Sequence, residues 1–429
     1  MSTTPYQALG ADHPPYANCR FSEPRCLEQL CGAREVQLDP VDDEGKPLPS
    51  LTLRTVGYCS CFFSSAPFTV TVGKQGKKID LEAWDLAERL KVGPTLIAKY
   101  ARTNDLAGLV KRAFWAQHPE QAVAAAVRRK KDLYFPSSLY HIPLTVYAGK
   151  NGHLFFGSSN LVGSGSFATV MEGKTPDGKK VACRILPISE GREEKTERAL
   201  QFMRTVCGRE GVIDLLGEFR YTPEGGTPTL VTFHSLFKKN LSDIFAEHRH
   251  LNWQTKISYA SQLFQGLLSL RPAAHADLKS QNVVLDEEEK VLKIIDLDMH
   301  RTPEDVGKHR RGSTDWFSPE VLKDGKVDVR NLDVWALGLI LFGLWGDLRD
   351  VPWMLKSVDV KTSEKMIKAC EQETMNAMIR KRKFPQPLED LLLKMQVVDP
   401  KSRIFLEEAA DLFEKQVATL PDPATARKT

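Results

Sequence analysis

No run of eighteen apolar residues occurs in this chain of 429 residues. The longest near-apolar stretch, Val334 to Trp345, is too short to cross a bilayer as a helix, so the sequence predicts no membrane span. Met1-Ser2-Thr3-Thr4-Pro5 lacks the basic-then-apolar pattern of a signal peptide. A cytoplasmic location is the expectation, with export by a signal-less route as the open alternative. Net charge is small: 59 Lys and Arg against 55 Asp and Glu leave +4, too little to argue for a nucleic-acid partner. There are eight cysteines, five of them before residue 62 (Cys19, Cys26, Cys31, Cys59 and Cys61). None forms a Cys-x-x-Cys pair and only His13 lies near them, so zinc-site spacing is absent and free thiols in a reducing compartment are expected. No internal repeat is visible.

What is present is an ordinary globular composition, 42% hydrophobic and 27% charged, in a chain long enough for two domains. Residues 1–50 are rich in Pro, Gly and acidic residues without a sustained period, which predicts loops and partial disorder. Leu51 to Leu53 and Phe68 to Val72 read as strands. From Asp80 to Lys131 the spacing turns helical: Leu81, Trp84, Leu86 and Leu90, then Leu106, Leu109, Val110 and Ala113 after Asn104-Asp105, then Ala122 to Val127 after His118-Pro119. Arg128-Arg129-Lys130-Lys131 reads as a solvated last turn that complements the helix dipole; an anionic partner or a localisation signal is the alternative. Tyr134 to Ile142, with Pro136 and Pro143, reads as a linker.

The stretch with the most chemistry is His275-Ala276-Asp277-Leu278-Lys279-Ser280-Gln281-Asn282, running into apolar Val283-Val284-Leu285. A second apolar strand from Val291 ends at Asp296, and the polar residues between make a hairpin turn. Such a hairpin carries Asn282 and Asp296 to the same end, with Asp277 on the loop just before. One carboxylate to orient an acceptor hydroxyl, beside an amide and a second carboxylate as hard oxygen ligands for Mg²⁺, is what phosphoryl transfer requires.

Here the chain resembles the eukaryotic-type protein kinase family. His275-Ala276-Asp277-Leu278-Lys279 to Asn282 matches its catalytic loop and Asp296 its Asp-Phe-Gly metal loop. Other pieces fall in the family's order: Gly163-Ser164-Gly165-Ser166-Phe167-Ala168-Thr169-Val170, Val181-Ala182-Cys183-Arg184, Gly312 to Ser318-Pro319-Glu320, Asp333-Val334-Trp335, and Arg403. The resemblance runs over about residues 155–418. It implies an α+β, bilobal kinase-like fold, with a β-rich small lobe and a helical large lobe, behind an N-terminal α+β extension. The corresponding boundaries are 1–150 for the extension, 151–418 for the kinase-like domain and 419–429 for a disordered tail.

It also implies roles. Gly163 and Gly165 would admit ATP phosphates close to backbone amides, and Val170 would pack under the adenine. Leu230 to His234 resembles the last strand and hinge, where adenine meets backbone. Asp277 would serve the acceptor hydroxyl, Lys279 would steady the transferring phosphate, and Asn282 with Asp296 would hold Mg²⁺. Glu320 would pair with buried Arg403. Glu197 is read as the helix glutamate that pairs with the phosphate-contacting cation, with Glu194 as second choice. Lys279 resembles serine/threonine kinases, while Trp316 is commoner in tyrosine kinases.

Four departures stand out. Arg184 replaces the family's lysine, not a conservative change at a tuned contact. Ala168 stands at the third glycine. Ala276 replaces the arginine that anchors an activation-loop phosphate, which predicts that any activity runs without that switch. Asp298 replaces the glycine of the metal loop. Two main readings follow: a divergent Mg-ATP-dependent serine/threonine kinase acting on a protein substrate, or a pseudokinase serving as a nucleotide-binding or scaffolding module for a protein partner. A small-molecule phosphotransferase is a third, disfavoured by Ser318-Pro319-Glu320, a protein-kinase feature.

Overall fold

The computed structural model describes residues 106–422 apart from 166, 224–225, 248–250, 287, 289, 306–311, 324–327 and 356, and before them residues 20–21, 25–30, 33–38, 40–41, 51–55, 68–72, 78–81, 90–93 and 96. The chain divides into two compact units, residues 1–187 with 217–233, and residues 188–216 with 234–429.

Besides a two-residue pairing of Arg20–Phe21 with Pro40–Val41, the first unit contains two larger sheets. One is a five-stranded antiparallel meander, β1 (Arg25–Leu30), β2 (Ala33–Leu38), β3 (Leu51–Thr55), β4 (Phe68–Val72) and β5 (Lys78–Leu81). Strands β1 and β2 overturn the expectation of loops before residue 50. Glu35-Val36-Gln37-Leu38 alternate polar and apolar, a period-two signal that the surrounding Pro-, Gly- and acid-rich composition hid. Leu81 lies in β5 rather than in a helix, and Trp84 and Leu86 fall outside the described residues. Helices α1 (Leu106–Gln117) and α2 (Pro119–Arg129) lie where the apolar spacing put them. The basic run closes α2: Arg128 and Arg129 sit in its last turn and Lys130 caps it in the left-handed conformation.

The other sheet has seven strands: β6 (Leu133–Phe135), β7 (Thr145–Ala148), β8 (Leu154–Ser164), β9 (Thr169–Lys174), β10 (Lys180–Pro187), β11 (Gly217–Tyr221) and β12 (Thr229–Ser235), in the spatial order β11-β12-β10-β9-β8-β7-β6. Strand β6 replaces the expected linker. The two prolines read as breakers, but Leu133 to Phe135 pairs with β7, and Tyr134 stacks on Tyr221 with ring centroids 3.9 Å apart. One face of the sheet is a buried aromatic layer of Tyr147, Phe155, Phe219 and Phe233, joined by Val181 and Cys183. Helix α2 lies against β6, β7 and β8.

The second unit is helical. Its helices are α3 (Glu193–Val206), α4 (Leu241–Ala246), α5 (Trp253–Ser269), α6 (Pro319–Lys323), α7 (Val334–Trp345), α8 (Val360–Lys368), α9 (Gln372–Lys381), α10 (Gln386–Met395) and α11 (Leu406–Leu412). Ten of the twelve residues of α7 are buried, so this all-apolar helix is the axis of the core and not a surface element. No helix among the described residues is long and apolar enough to cross a membrane. A short sheet joins Lys239–Asn240, β13 (Val283–Asp286) and β14 (Val291–Ile294). The tail expected from Pro421 lies outside the described residues from 423 onward.

Candidate active site

The β13–β14 hairpin sets the frame. Val283 pairs with Ile294, and the Ile295 amide donates to the Asn282 carbonyl at 2.9 Å, extending the ladder by one step. Asn282 and Asp296 therefore emerge side by side, as the spacing predicted. Asp296 turns the chain with φ +63° and ψ +64°, and Leu297 behind it is fully buried. Leu297 is thus an apolar side chain held in the core, and Asp298 follows in the same short turn, Leu297–Met299.

The loop before the hairpin is held by backbone as much as by side chains. His275 donates from Nε2 to the Ile295 carbonyl at 2.8 Å and accepts the Asp277 amide at Nδ1, 3.2 Å away. A ring nitrogen that faces an N–H must carry the lone pair, so the tautomer is fixed with the proton on Nε2. Asp333, at the N-terminus of α7, accepts the His275 amide at 2.7 Å and the Ala276 amide at 2.9 Å. That grip holds Ala276 in the left-handed region, φ +65°, where a Cβ is unfavourable.

Asp277 is 8% exposed. Its Oδ1 accepts the Ser313 amide at 2.8 Å, and its Oδ2 meets Lys279 Nζ at 3.1 Å. The same ammonium donates to Ser313 Oγ at 2.7 Å. The Asn282 amide nitrogen donates to the Asp277 carbonyl at 2.9 Å, with a longer contact of 3.5 Å to Oδ2. The nitrogen of Asn282 is thereby committed, and Oδ1, a hard oxygen, is the atom it has for a cation. Among the described residues no group of three His, Cys, Asp or Glu could hold a metal alone. A set of one amide and one or two carboxylates suits Mg²⁺, which completes its shell from phosphates and water.

Ser313 was legible only as a family position, and its backbone amide is the contact that sequence reasoning missed. Gly312 makes it possible: φ is +132°, and a Cβ there would lie 2.9 Å from both Asp277 Oδ1 and the Phe317 ring. The glycine needed in this loop is therefore in the segment that faces Asp277. Further along, Glu320 meets Arg403 through two bonds of 2.7 and 3.0 Å, and Arg403 is 2% exposed, so the expected buried pair is present. The basic residues Lys308, His309, Arg310 and Arg311 lie outside the described residues.

In the first unit, β8 meets β9 with Gly163 opposite Val170 and Ser164 opposite Thr169, and β9 meets β10 with Val170 opposite Arg184. Directly opposed residues share a face, so Val170 and Arg184 stand side by side next to Gly163, on the face opposite buried Cys183. Burial pushes the Cys183 thiol up to about 12, and its neighbour is the Tyr147 hydroxyl at 3.9 Å. A Cβ added at Gly163 would meet nothing within 4 Å, and one at Gly165 only the Ala168 carbonyl at 3.7 Å. The fold itself does not need these two glycines. They leave a shallow cradle that side chains would fill.

Glu197 and Glu194 both lie on the exposed side of α3, whose buried side is Ala199, Leu200, Met203 and Val206. The Glu197 carboxylate is 3.5 Å from Arg204 on the same helix. The helix is joined to the segment after Asp298 by three residues of one stripe. Lys195 Nζ contacts the Met299 sulfur at 3.2 Å, Arg198 pairs with Asp305, and the Phe202 ring stacks on His300 at 4.0 Å. Burial holds the His300 imidazole below its ordinary range, and Arg198 nearby adds to that.

The family model of the protein kinase domain matches residues 156–412. The serine/threonine-protein kinase PKH1 of Saccharomyces cerevisiae is 26% identical over 332 residues, covering 70% of this chain and 40% of that protein. The calcium/calmodulin-regulated receptor-like kinase 1 of Arabidopsis thaliana is 26% identical over 195 residues, 43% of each. The phosphorylase b kinase gamma catalytic chain, liver/testis isoform, of Rattus norvegicus is 24% identical over 272 residues, 58% of this chain and 64% of that one. The chain thus spans between about two fifths and just under two thirds of the length of these relatives.

Proposed function

This chain belongs to the protein kinase family, and from that premise we propose that it transfers the γ-phosphate of Mg-ATP to a serine or threonine hydroxyl of a protein substrate. The observation that carries the reading is the cluster of Asp277, Lys279, Asn282 and Ser313, in which the acid is nine-tenths buried and accepts from the Ser313 amide at 2.8 Å and from Lys279 at 3.1 Å, while Lys279 and Asn282 hold Ser313 Oγ and the Asp277 carbonyl at 2.7 and 2.9 Å. Asp277 would orient the acceptor hydroxyl and take its proton as the oxygen bonds to the γ-phosphorus. Lys279 would donate to the phosphoryl oxygens as the bond to the leaving diphosphate breaks. Asn282 through Oδ1 and Asp296 through its carboxylate would hold Mg²⁺, which supplies positive charge against the phosphates. Gly163 and Gly165 would admit the phosphates, Val170 would lie under the base, and Arg184, in the place of the family's lysine, would contact the α and β phosphates. Glu197 is the partner that the family pattern assigns to Arg184.

A second reading, a pseudokinase that binds nucleotide or a protein partner without turnover, is favoured by Arg184, because a planar guanidinium cannot reproduce a point-charge ammonium at that contact. The test is labelled phosphate transfer from Mg-ATP to the chain itself and to a generic basic protein. Wild type, Asp277→Ala and Arg184→Lys would be assayed together. Labelling of wild type that Asp277→Ala abolishes supports the kinase reading. Labelling by Arg184→Lys alone means the natural chain is switched off at that position. No labelling in any of the three overturns the kinase reading in favour of the pseudokinase.

A further inference from the structure

The chain crosses between its two units at three points, one of them between Phe233 and His234. The ladder of β11 and β12 ends at the pair Gly217 and Phe233. His234 and Ser235 therefore lie past the last rung, at and just beyond the end of the stretch Leu230 to His234 that the family resemblance assigns to the adenine. Both are anchored to one residue that the reaction scheme does not use. His234 donates from Nδ1 to the Asp214 carbonyl at 2.7 Å, and Ser235 Oγ donates to Asp214 Oδ2 at 3.0 Å. His234 is 8% exposed, so this is an interior contact.

Asp214 is itself held to the metal end of the site. The Ile213 amide donates to the Ile294 carbonyl at 3.1 Å, and the Ile294 amide donates to the Gly211 carbonyl at 2.8 Å, a parallel bridge through Val212. Gly211 has φ +72°, and a Cβ there would lie 2.5 Å from Gly266 Cα, so the segment is seated directly on the backbone of α5 with no room to slide. Ile294 leads in two residues to Asp296, and Ile295 is bonded to Asn282. A continuous hydrogen-bonded frame thus runs from His234 and Ser235 through Asp214 and β14 to both expected metal ligands, all within the second unit.

We propose that Asp214 is a positioning residue for the nucleotide, fixing the backbone strip that meets the adenine at a set distance from Asn282 and Asp296. The proposal rests on the ATP-binding reading and deepens it. A nucleotide bound at both ends spans a fixed length, so an anchored strip lets base and phosphates bind together, and a loose one makes binding the base cost the entropy of ordering the strip. Asp214 touches neither base nor phosphate. Its effect is confined to ligands that use both ends.

The test is calorimetric binding of two probes, Mg-ATP and Mg-tripolyphosphate, to the full chain as wild type, Asp214→Ala, Asp214→Asn, Ser235→Ala and the double variant Asp214→Ala with Ser235→Ala. Asp214→Ala and Ser235→Ala are each expected to weaken Mg-ATP about fivefold, the size of one lost hydrogen bond. The double variant should be no weaker than either alone, because both remove the same bond. Asp214→Asn keeps an acceptor oxygen and should bind within about twofold of wild type. None should weaken tripolyphosphate, which has no base to position. Mg-ATP affinity in Asp214→Ala equal to wild type would overturn the proposal, as would equal losses for both probes, the mark of a general structural defect. No binding of Mg-ATP by wild type would overturn the ATP-binding reading itself and the proposal with it.

Discussion

Replacing Asp333 should unfasten the catalytic loop without touching any group that meets substrate. Its carboxylate is 5% exposed and accepts two backbone amides, His275 at 2.7 Å and Ala276 at 2.9 Å. Asp333→Ala leaves both donors buried without an acceptor, and each such loss costs about 1–3 kcal/mol. Relaxation of Ala276 out of its left-handed conformation recovers about 1 kcal/mol. The net expectation is about 3 kcal/mol against the held loop, or roughly a hundredfold in its opening equilibrium. Asp333→Asn keeps one acceptor oxygen and turns an amide toward the other N–H, so it should cost nearly as much. The assay is hydrogen exchange read on a peptide spanning residues 272–283, where the His275 and Ala276 amides should exchange about a hundredfold faster. Phosphate transfer should fall in parallel, because Asp277 is the next residue. Exchange within threefold of wild type in both variants would refute the claim that Asp333 holds the loop.

Gly312→Ala should lower phosphate transfer by at least tenfold with a smaller loss of stability, since its Cβ would be forced against Asp277 Oδ1 at a backbone angle that only glycine adopts readily. Steady-state rates beside a thermal melt would check this, and near-wild-type turnover would count against it. Arg403→Met should destabilise the second unit by about 3–5 kcal/mol because it strands the Glu320 carboxylate, and a companion Glu320→Leu should recover more than half of that in denaturant titrations. His300 carries a folded-state pKa below its unfolded value, caused first by burial, so the unfolded chain binds the proton more readily. Its contribution to stability should be complete above the unfolded value of about 6.5 and be lost as pH falls from there toward the folded value. His118 shifts in the same direction. Substituting His300 by Gln should flatten that part of the stability profile, and an unchanged slope would show that the imidazole is not the group responsible.

Much of the site could be read from spacing, because the groups that matter lie on one short hairpin whose period-two strands and polar turn are local signals. Asn282, Asp296 and Asp277 needed no distant contact to be placed. Burial of α7 was equally plain, since an all-apolar helix has no side to leave in water. What escaped was long-range or backbone-borne. The Ser313 amide reaches Asp277 across thirty-six positions, and nothing about a serine in sequence says its N–H is the useful atom. Strand β6 was hidden because flanking prolines are strong local breakers, while its pairing partner, β7, is a tertiary contact. The register of α3 was ambiguous for a similar reason. Glu197, with Glu194 as second choice, was read for the family position, and the side that the core selects follows from Leu200, Met203 and Val206.

The extra strands β6 and β7 bear on how this protein can be handled. A recombinant fragment cut at residue 151 would retain every residue that the kinase family model matches, yet it would remove two strands and the α2 helix laid over them. Strand β8, now paired on both sides, would become a bare edge with one row of amides and carbonyls open. Removal of Tyr147 would uncover Phe219 and Phe233 beside it. An unprotected edge next to newly wetted aromatic rings is a template for strand addition, and its nearest complement in solution is the same edge of another copy. Such a fragment should self-associate, and its failure in an activity assay would report aggregation rather than chemistry.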